Sequence, residues 1–450
     1  MSLVEISLSE PNEEIIYYNR AVETMDREEL KKFQLNKLKM MVQELWGKNK
    51  FYTEKWKAAG INSPDDIQTW EDFQRLPFTR KSELVKDQAE NGPFGTNLTY
   101  ELDKYVRIHQ TSGTTGKPLK WVDTEESWDW AAECWAYVFQ AAGVTEKDKI
   151  FFPFTFGMFY GFWGAFEAAR KIGAMSMPAG GQDTLTRINS ILELNPTVIA
   201  CTPSYALRLA ETAAAQGIDL SKSSVRATIH AGEPGASIPS TKQKLQEAWG
   251  AKCYDHHGMT EMGPASMECQ YQPGATHIIE SEYIAEVINP ETGEHCADGE
   301  SGELILTNLG RWGSPNIRYR TGDRVIMNTR RCDCGRTFAR IEGGVIGRVD
   351  DMLIIRGVNV FPSALENIVR SYSEVAEFLI EVHKIKEMDD LKLKLEIDEA
   401  QHSPEKIKET IKAIVEDVRN KLQIRVETEH CCAGSLPRFE MKAKRVVRIS

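Results

Sequence analysis

Between residues 27 and 57, the apolar residues Leu30, Phe33, Leu38, Met41 and Leu45 recur at helical spacing among Lys, Gln and Glu. This spacing predicts one or two amphipathic helices. Trp46, Phe51, Tyr52 and Trp56 in the same stretch read as core anchors. In the middle of the chain, short apolar runs at 197–201 and 227–231 are mixed with helical stretches, the pattern of α/β layers. The last hundred or so residues change period. Leu391, Leu393, Leu395 and Ile397 alternate with Lys392, Lys394 and Glu396, which puts the aliphatics on one face of a strand. Ser363 followed by Glu366 has the spacing of a capping box and predicts a helix carrying Leu365, Ile368 and Val369. Ser403 and Pro404 open another, with Ile407, Ile411, Ile414 and Val418 on its buried stripe. The polar run Gly347-Arg348-Val349-Asp350-Asp351 lies between the two regions. The expected fold is α/β, with a large N-terminal α/β domain over residues 1–347 and a small C-terminal α+β domain over 348–450.

At 450 residues the chain is long enough for two or three cores, at roughly 150 residues per domain. It carries 55 basic and 66 acidic side chains, a net charge of -11. That balance repels a phosphate backbone, so nucleic acid is not an expected partner. The N-terminus has no basic stretch followed by an apolar run, so no secretory signal is expected. Nine scattered cysteines, an odd number, fit a reducing compartment, the cytoplasm, better than a disulfide framework. Residues 150–169 are uncharged until Glu167 and nearly long enough to span a bilayer. Pro153, Gly157, Gly161 and Gly164 interrupt them. The segment therefore reads as a buried turn lining a pocket, and no membrane partner is expected.

Thr111-Ser112-Gly113-Thr114-Thr115-Gly116-Lys117-Pro118 concentrates hydroxyls, glycines and a lysine in eight residues. Such a loop can turn backbone N–H groups onto phosphates, with the lysine adding charge. Only two residues separate Gly113 from Gly116, so the Walker spacing is not met. The segment resembles the phosphate loop of the acyl-adenylate-forming superfamily. Further motifs follow in that superfamily's order: Ala231-Gly232-Glu233-Pro234, Asp255-His256-His257-Gly258-Met259-Thr260-Glu261, Tyr319-Arg320-Thr321-Gly322-Asp323 and the run at 347–351. Within it the chain is most similar to the phenylacetate-CoA ligase family, through Leu76-Pro77-Phe78-Thr79-Arg80-Lys81, the stretch from Asp351 to Pro362, and Leu436-Pro437-Arg438.

The resemblance implies ATP-dependent, AMP-forming ligation of a small aromatic acid to coenzyme A through an acyl-adenylate. A carboxylate attacking an α-phosphate brings two anions together, so cations and oriented donors are needed there. By the resemblance Lys442 is the adenylation lysine, Glu261 holds magnesium and Asp350 is the hinge. Arg348 acts in catalysis and at the ribose. Asp323 accepts the ribose hydroxyls, and residues 232–234 and 255–260 bind the adenine side. A tyrosine usual in the family is replaced by His257, which can still stack on a base. Phe154, Phe159 and Gly161 match the acyl pocket.

Cys332-Asp333-Cys334-Gly335 is a tight thiol pair, and Cys269 and His277 precede it. Three Cys and one His complete a tetrahedral structural zinc site. Two rival readings stand beside the ligase. One keeps adenylation and transfers to an amine or a carrier-protein thiol. The other takes the Cys-x-Cys unit as a zinc-stapled interaction module. A homodimer is left open.

Overall fold

The computed structural model describes residues 15–111, 118–349, 352–355, 358–385, 388–439 and 443–449. The amphipathic stretch near the N-terminus folds as two helices, Arg27–Leu45 and Lys50–Ala58. Asp26 and Asn49 cap them by accepting backbone N–H groups of the first turns. Leu38, Met41 and Leu45 on one, and Tyr52 and Trp56 on the other, are fully buried. They pack with Ile284, Leu309 and Ile317 of the region that follows.

Five short strands make a parallel sheet in the order Met175–Pro178, Lys149–Phe152, Val198–Cys201, Ala227–His230, Lys252–Asp255. Val198–Cys201 and Ala227–His230 are buried at every position, as strands covered on both faces must be. Their side chains alternate between two cores. Val198 and Ala200 join Phe152 and the helices Glu125–Ala141 and Trp163–Lys171. Ile199 and Cys201 join Phe151 and the helices Thr184–Leu194, Pro203–Ala215 and Pro239–Trp249. The carboxyl ends of all five strands therefore lie along one edge, where ligands bind in parallel sheets.

The apolar segment at 150–169 is divided between strand Lys149–Phe152, irregular chain and helix Trp163–Lys171. No helix among the described residues is long and apolar enough to cross a membrane. An antiparallel sheet runs in the order Ser266–Glu268, Ala275–Ile278, Arg340–Glu342, Tyr319–Asn328, Ser301–Asn308, Tyr283–Ile288, and Gly347–Arg348 pairs with Tyr319–Asn328.

A third sheet, Val358–Val360, Leu353–Ile355, Met388–Ile397, Val375–Ile385, Val446–Ile449, carries Glu427–Cys431 against Met388–Ile397. Leu391, Leu393, Leu395 and Ile397 are buried as their alternation requires, packed with the helices Pro362–Arg370 and Pro404–Leu422. Ser403 caps the second helix through the Lys406 N–H. The capping box expected at Ser363 does not form. Pro362 takes the first helical position, Phe361 is the cap residue, and the Ser363 hydroxyl donates to the Ile346 carbonyl instead. Among the described residues, the hydrophobic cluster of this sheet draws its members from Leu353 onward and shares none with the clusters before it.

Candidate active site

Three segments singled out in the sequence, and one helix that was not, follow four strands of the parallel sheet. Lys149–Phe152 leads into the aromatic turn, Val198–Cys201 into helix Pro203–Ala215, Ala227–His230 into Ala231-Gly232-Glu233-Pro234, and Lys252–Asp255 into the His-His-Gly-Met-Thr-Glu run. Residues 112–117 of the expected phosphate loop, the expected hinge residue Asp350 and Lys442 lie outside the described residues. Thr111 is described and buried; its N–H donates to the Leu119 carbonyl and its hydroxyl accepts the Leu119 N–H at 3.0 Å. The Gln110 N–H donates to the Met158 carbonyl at 2.8 Å. The aromatic turn thus lies alongside the chain entering the phosphate loop.

In that turn Phe154 packs against Phe156, Phe159 and Phe162 at centroid distances of 5.4, 6.3 and 5.4 Å. Gly161 has φ +36°, and a Cβ there would stand 2.2 Å from Phe154 Cζ. Glycine is required at this point, since any side chain would displace the Phe154 ring.

The run after Asp255 is held from several sides. His256 is buried, its Nδ1 lies 2.6 Å from the Ser266 carbonyl, and its ring lies 4.3 Å from Trp135. Burial lowers its pKa to about 3, so it is neutral. Gly258 and Met259 pair with Pro264 and Gly263 in a tight antiparallel turn. Arg311, fully buried, donates to the Thr260 carbonyl at 2.7 Å and grips Asp123 through two bonds of 2.6 Å. Asn316 donates to the Glu261 carbonyl at 2.8 Å. The backbone at 260–261 is thereby pinned while the buried Glu261 carboxylate meets the half-exposed ammonium of Lys81 at 3.1 Å. Sequence reasoning assigned no role to Arg311, Asp123 or Lys81. Only Lys81 carried a signal, as the end of the Leu-Pro-Phe-Thr-Arg-Lys motif.

Asp323 lies on strand Tyr319–Asn328 opposite Arg348. His257 Nε2 lies 2.9 Å from its Oδ2, and an Arg348 guanidinium nitrogen lies 3.3 Å from its Oδ1. His257 Nδ1 is buried with no protein partner. The imidazole is thus tied by its edge to the carboxylate expected at the ribose. Gly232, Glu233 and Pro234 sit on the next turn of the sheet edge, and both Glu233 oxygens accept backbone N–H groups, from Ser204 and Ala443.

Asp255 is buried behind this surface. Burial, and next the charge of Glu268, raises its carboxyl to about 7. A raised pKa favours folding while the group is protonated, so this contribution is complete below about pH 4 and is lost as pH climbs to about 7. Asp255→Asn cannot ionise. It is expected to match wild type near pH 4 and to exceed it in stability at pH 8, by about 1.4 kcal/mol for each tenfold in proton affinity. Melting curves of both proteins across that range check this, and a difference independent of pH would count against it.

Cys269, His277, Cys332 and Cys334 come together, all buried, with their ligand atoms within 4.8 Å of one another. Cys269 and Cys332 sulfurs are 3.9 Å apart, and Cys334 Sγ is 3.6 Å from His277 Nε2. A tetrahedron with metal–sulfur bonds of about 2.3 Å and a metal–nitrogen bond of about 2.0 Å has edges of this size. His277 Nδ1 lies 3.0 Å from the Phe338 carbonyl, which directs Nε2 at the sulfurs. Hydrogen bonding to Cys332 and Cys334 pushes the Cys269 thiol up, while that to Cys269 and Cys332 pulls Cys334 down. The N-terminal residues pack on this knot, Tyr17 donating to the Cys334 carbonyl at 2.6 Å and Arg336 pairing with Glu23.

Comparison with known proteins agrees with this geometry. The family model of the AMP-binding enzyme matches residues 57–310, and that of the AMP-binding enzyme C-terminal domain matches 357–448. The phenylacetate-coenzyme A ligase of Escherichia coli K12 is 34% identical, covering 94% of this chain and 96% of its own. That of Thermus thermophilus is 34% identical, covering 85% and 84%. The chain belongs to the phenylacetate-coenzyme A ligase family. Among solved structures, 2-hydroxyisobutyryl-CoA ligase in the postadenylation state with R3-HIB-AMP superposes on it with a TM-score of 0.91 at 28% identity, over 98% of this chain and 94% of that one. The same ligase in the thioesterification state gives 0.72, over 96% and 92%. This member of the phenylacetate-coenzyme A ligase family therefore shares the overall arrangement of the postadenylation form. Its matched AMP-binding regions lie on both sides of the Cys-x-Cys unit, and the reading as an interaction module is set aside.

Proposed function

We propose that this ligase activates a small aromatic carboxylic acid with ATP and passes it to coenzyme A. The observation that carries the reading is that the aromatic turn and the run bearing His257 and Glu261 both follow carboxyl ends of strands in one parallel sheet, with His257 bound to Asp323 and Asp323 to Arg348. In the first step the acid's carboxylate attacks the α-phosphate and pyrophosphate leaves. Asp323 and Arg348 would hold the ribose, and Gly232, Pro234 and His257 would flank the base. Glu261 suits magnesium, a hard cation that binds through one or two carboxylates and phosphate oxygens. Lys442 would supply positive charge to that transition state. In the second step the C-terminal domain, taken from residue 348, would turn about Asp350 and withdraw Lys442. The coenzyme A thiol then attacks the acyl carbon and AMP leaves. Such rotation needs only a few hinge residues.

The buried Cys269, His277, Cys332 and Cys334 fit zinc in a structural role, because protein fills all four positions. Nine unpaired cysteines support work in the cytoplasm.

Acid-dependent pyrophosphate exchange with benzoate, phenylacetate, indoleacetate and octanoate tests the substrate class, with product analysis against coenzyme A, amines and carrier protein. Aryl acids should exceed aliphatic acids of similar volume, with coenzyme A as the acceptor. Preference for octanoate over every aryl acid would overturn the reading. Gly161→Ala should displace Phe154 and shift preference toward smaller acids, by about 10- to 200-fold if the change equals one methylene's worth of fit. An unaltered ranking would remove this turn from the pocket.

A further inference from the structure

We propose that Glu233, with Ser204, is a positioning residue for adenylation, gripping the C-terminal segment that carries Lys442 so that the lysine enters the site in one register. The inference rests on the assignment of Lys442 as the adenylation lysine and concerns what delivers it. The sequence places Glu233 on the adenine side, but its carboxylate is already occupied by protein. One oxygen accepts the Ser204 N–H at 2.8 Å, at the first turn of helix Pro203–Ala215, and the other accepts the N–H of Ala443. Charge-assisted bonds of this kind are about twice as strong as neutral ones. Ala443 directly follows Lys442 in the chain, so the bonded N–H belongs to the peptide link that joins the two.

A second grip lies two residues on. The Arg445 guanidinium reaches the Ser204 hydroxyl at 3.2 Å, while Glu377 at 3.0 Å on strand Val375–Ile385 and Glu366 at 3.5 Å on helix Pro362–Arg370 hold it from the C-terminal side. The Arg445 carbonyl accepts the Ile380 N–H at 2.7 Å, so from Arg445 onward the segment belongs to the C-terminal sheet. Residues 443 and 445 are thus both held by one Glu233–Ser204 pair, at the carboxyl ends of two adjacent strands of the parallel sheet. A slip of the tail by one residue would break both contacts. When the C-terminal domain turns away, both can be released together, since each is a single polar contact.

Glu233→Ala is expected to slow acid-dependent pyrophosphate exchange about 10- to 100-fold, the loss that follows a small misplacement of a catalytic group. The KM for ATP should stay near wild type, and thioester formation from supplied acyl-adenylate within a few-fold. Glu233→Gln keeps an acceptor oxygen and should recover most of the exchange rate. Glu233→Ala combined with Lys442→Ala should be no slower in exchange than Lys442→Ala alone, because both act through the lysine. A raised KM for ATP with additive losses would assign Glu233 to adenine and overturn the proposal, as would unchanged exchange in Glu233→Ala. If Lys442→Ala itself slows both half-reactions equally, the lysine reading fails. If Lys442→Ala is selective and Glu233→Ala is not, only the grip fails.

Discussion

Lys442→Ala is expected to slow acyl-adenylate formation by about a hundred- to a thousandfold, the cost typical of removing one charge-stabilising group from a transition state. In the proposed role the lysine would contribute while the carboxylate attacks the α-phosphate and not when the thiol attacks the acyl carbon. Supplying chemically made acyl-adenylate bypasses the first step, so thioester formation from it should remain within a few-fold of wild type. Asp350→Pro should show the opposite pattern, because a fixed φ hinders rotation at the hinge while leaving the adenylating arrangement accessible. Rapid-quench measurement of each half-reaction separates the cases. Equal losses in both steps for Lys442→Ala would show that the lysine is structural.

Cys332→Ser should release one zinc ion per chain and lower thermal stability strongly. The four side chains join the turn after Ser266–Glu268, strand Ala275–Ile278 and the loop before Arg340–Glu342. An ion there would tie together segments far apart in sequence. Removing a covalent cross-link of that kind typically costs about 2–5 kcal/mol, and a closed metal site is comparable in what it restrains. The N-terminal contacts through Tyr17 and Arg336 rest on the same loop and should loosen with it. Metal analysis of the purified wild type should give a ratio of one, and the variant should retain adenylation in the fraction that stays folded. Wild-type protein without zinc would end the proposal.

What the sequence made legible was whatever is local. Leu391, Leu393, Leu395 and Ile397 declare a strand by alternation alone, and Ser403-Pro404 declares a helix start. The Cys-x-Cys pair and the motifs after the strand ends were visible because their chemistry lies within a few consecutive residues. Among distant partners, Cys269 and His277 could be matched to the Cys-x-Cys pair because metal-ligand chemistry marks them, whereas ordinary ion pairs carry no such mark. Nothing near Asp123 announces Arg311, yet the two form a fully buried pair that holds Thr260. Glu396 falls on the polar side of its strand's alternation, but it is buried beneath Arg438 and the Gly434 and Leu436 amides. Ser363 had a capping sequence, but Pro362 was better suited to the first helical position, and a carbonyl at residue 346 competed for the hydroxyl. The capping rule weighs neighbours in sequence, whereas the chain satisfies neighbours in space.

The separation of the hydrophobic clusters has an energetic consequence for turnover. Contacts across the boundary include Ser240 with Asn367, the Lys244 ammonium with the Tyr372 carbonyl, and Arg438 with Glu211. Since no cluster among the described residues is divided by that boundary, the proposed turn of the C-terminal domain would uncover little oily surface, and its equilibrium would carry little of the heat-capacity change that accompanies such exposure. The enthalpy of the turn is then nearly constant with temperature, so a van 't Hoff plot of the balance between the two poses should be close to a straight line. Ionic strength should shift that balance, because it weakens the Arg438–Glu211 ion pair across the boundary.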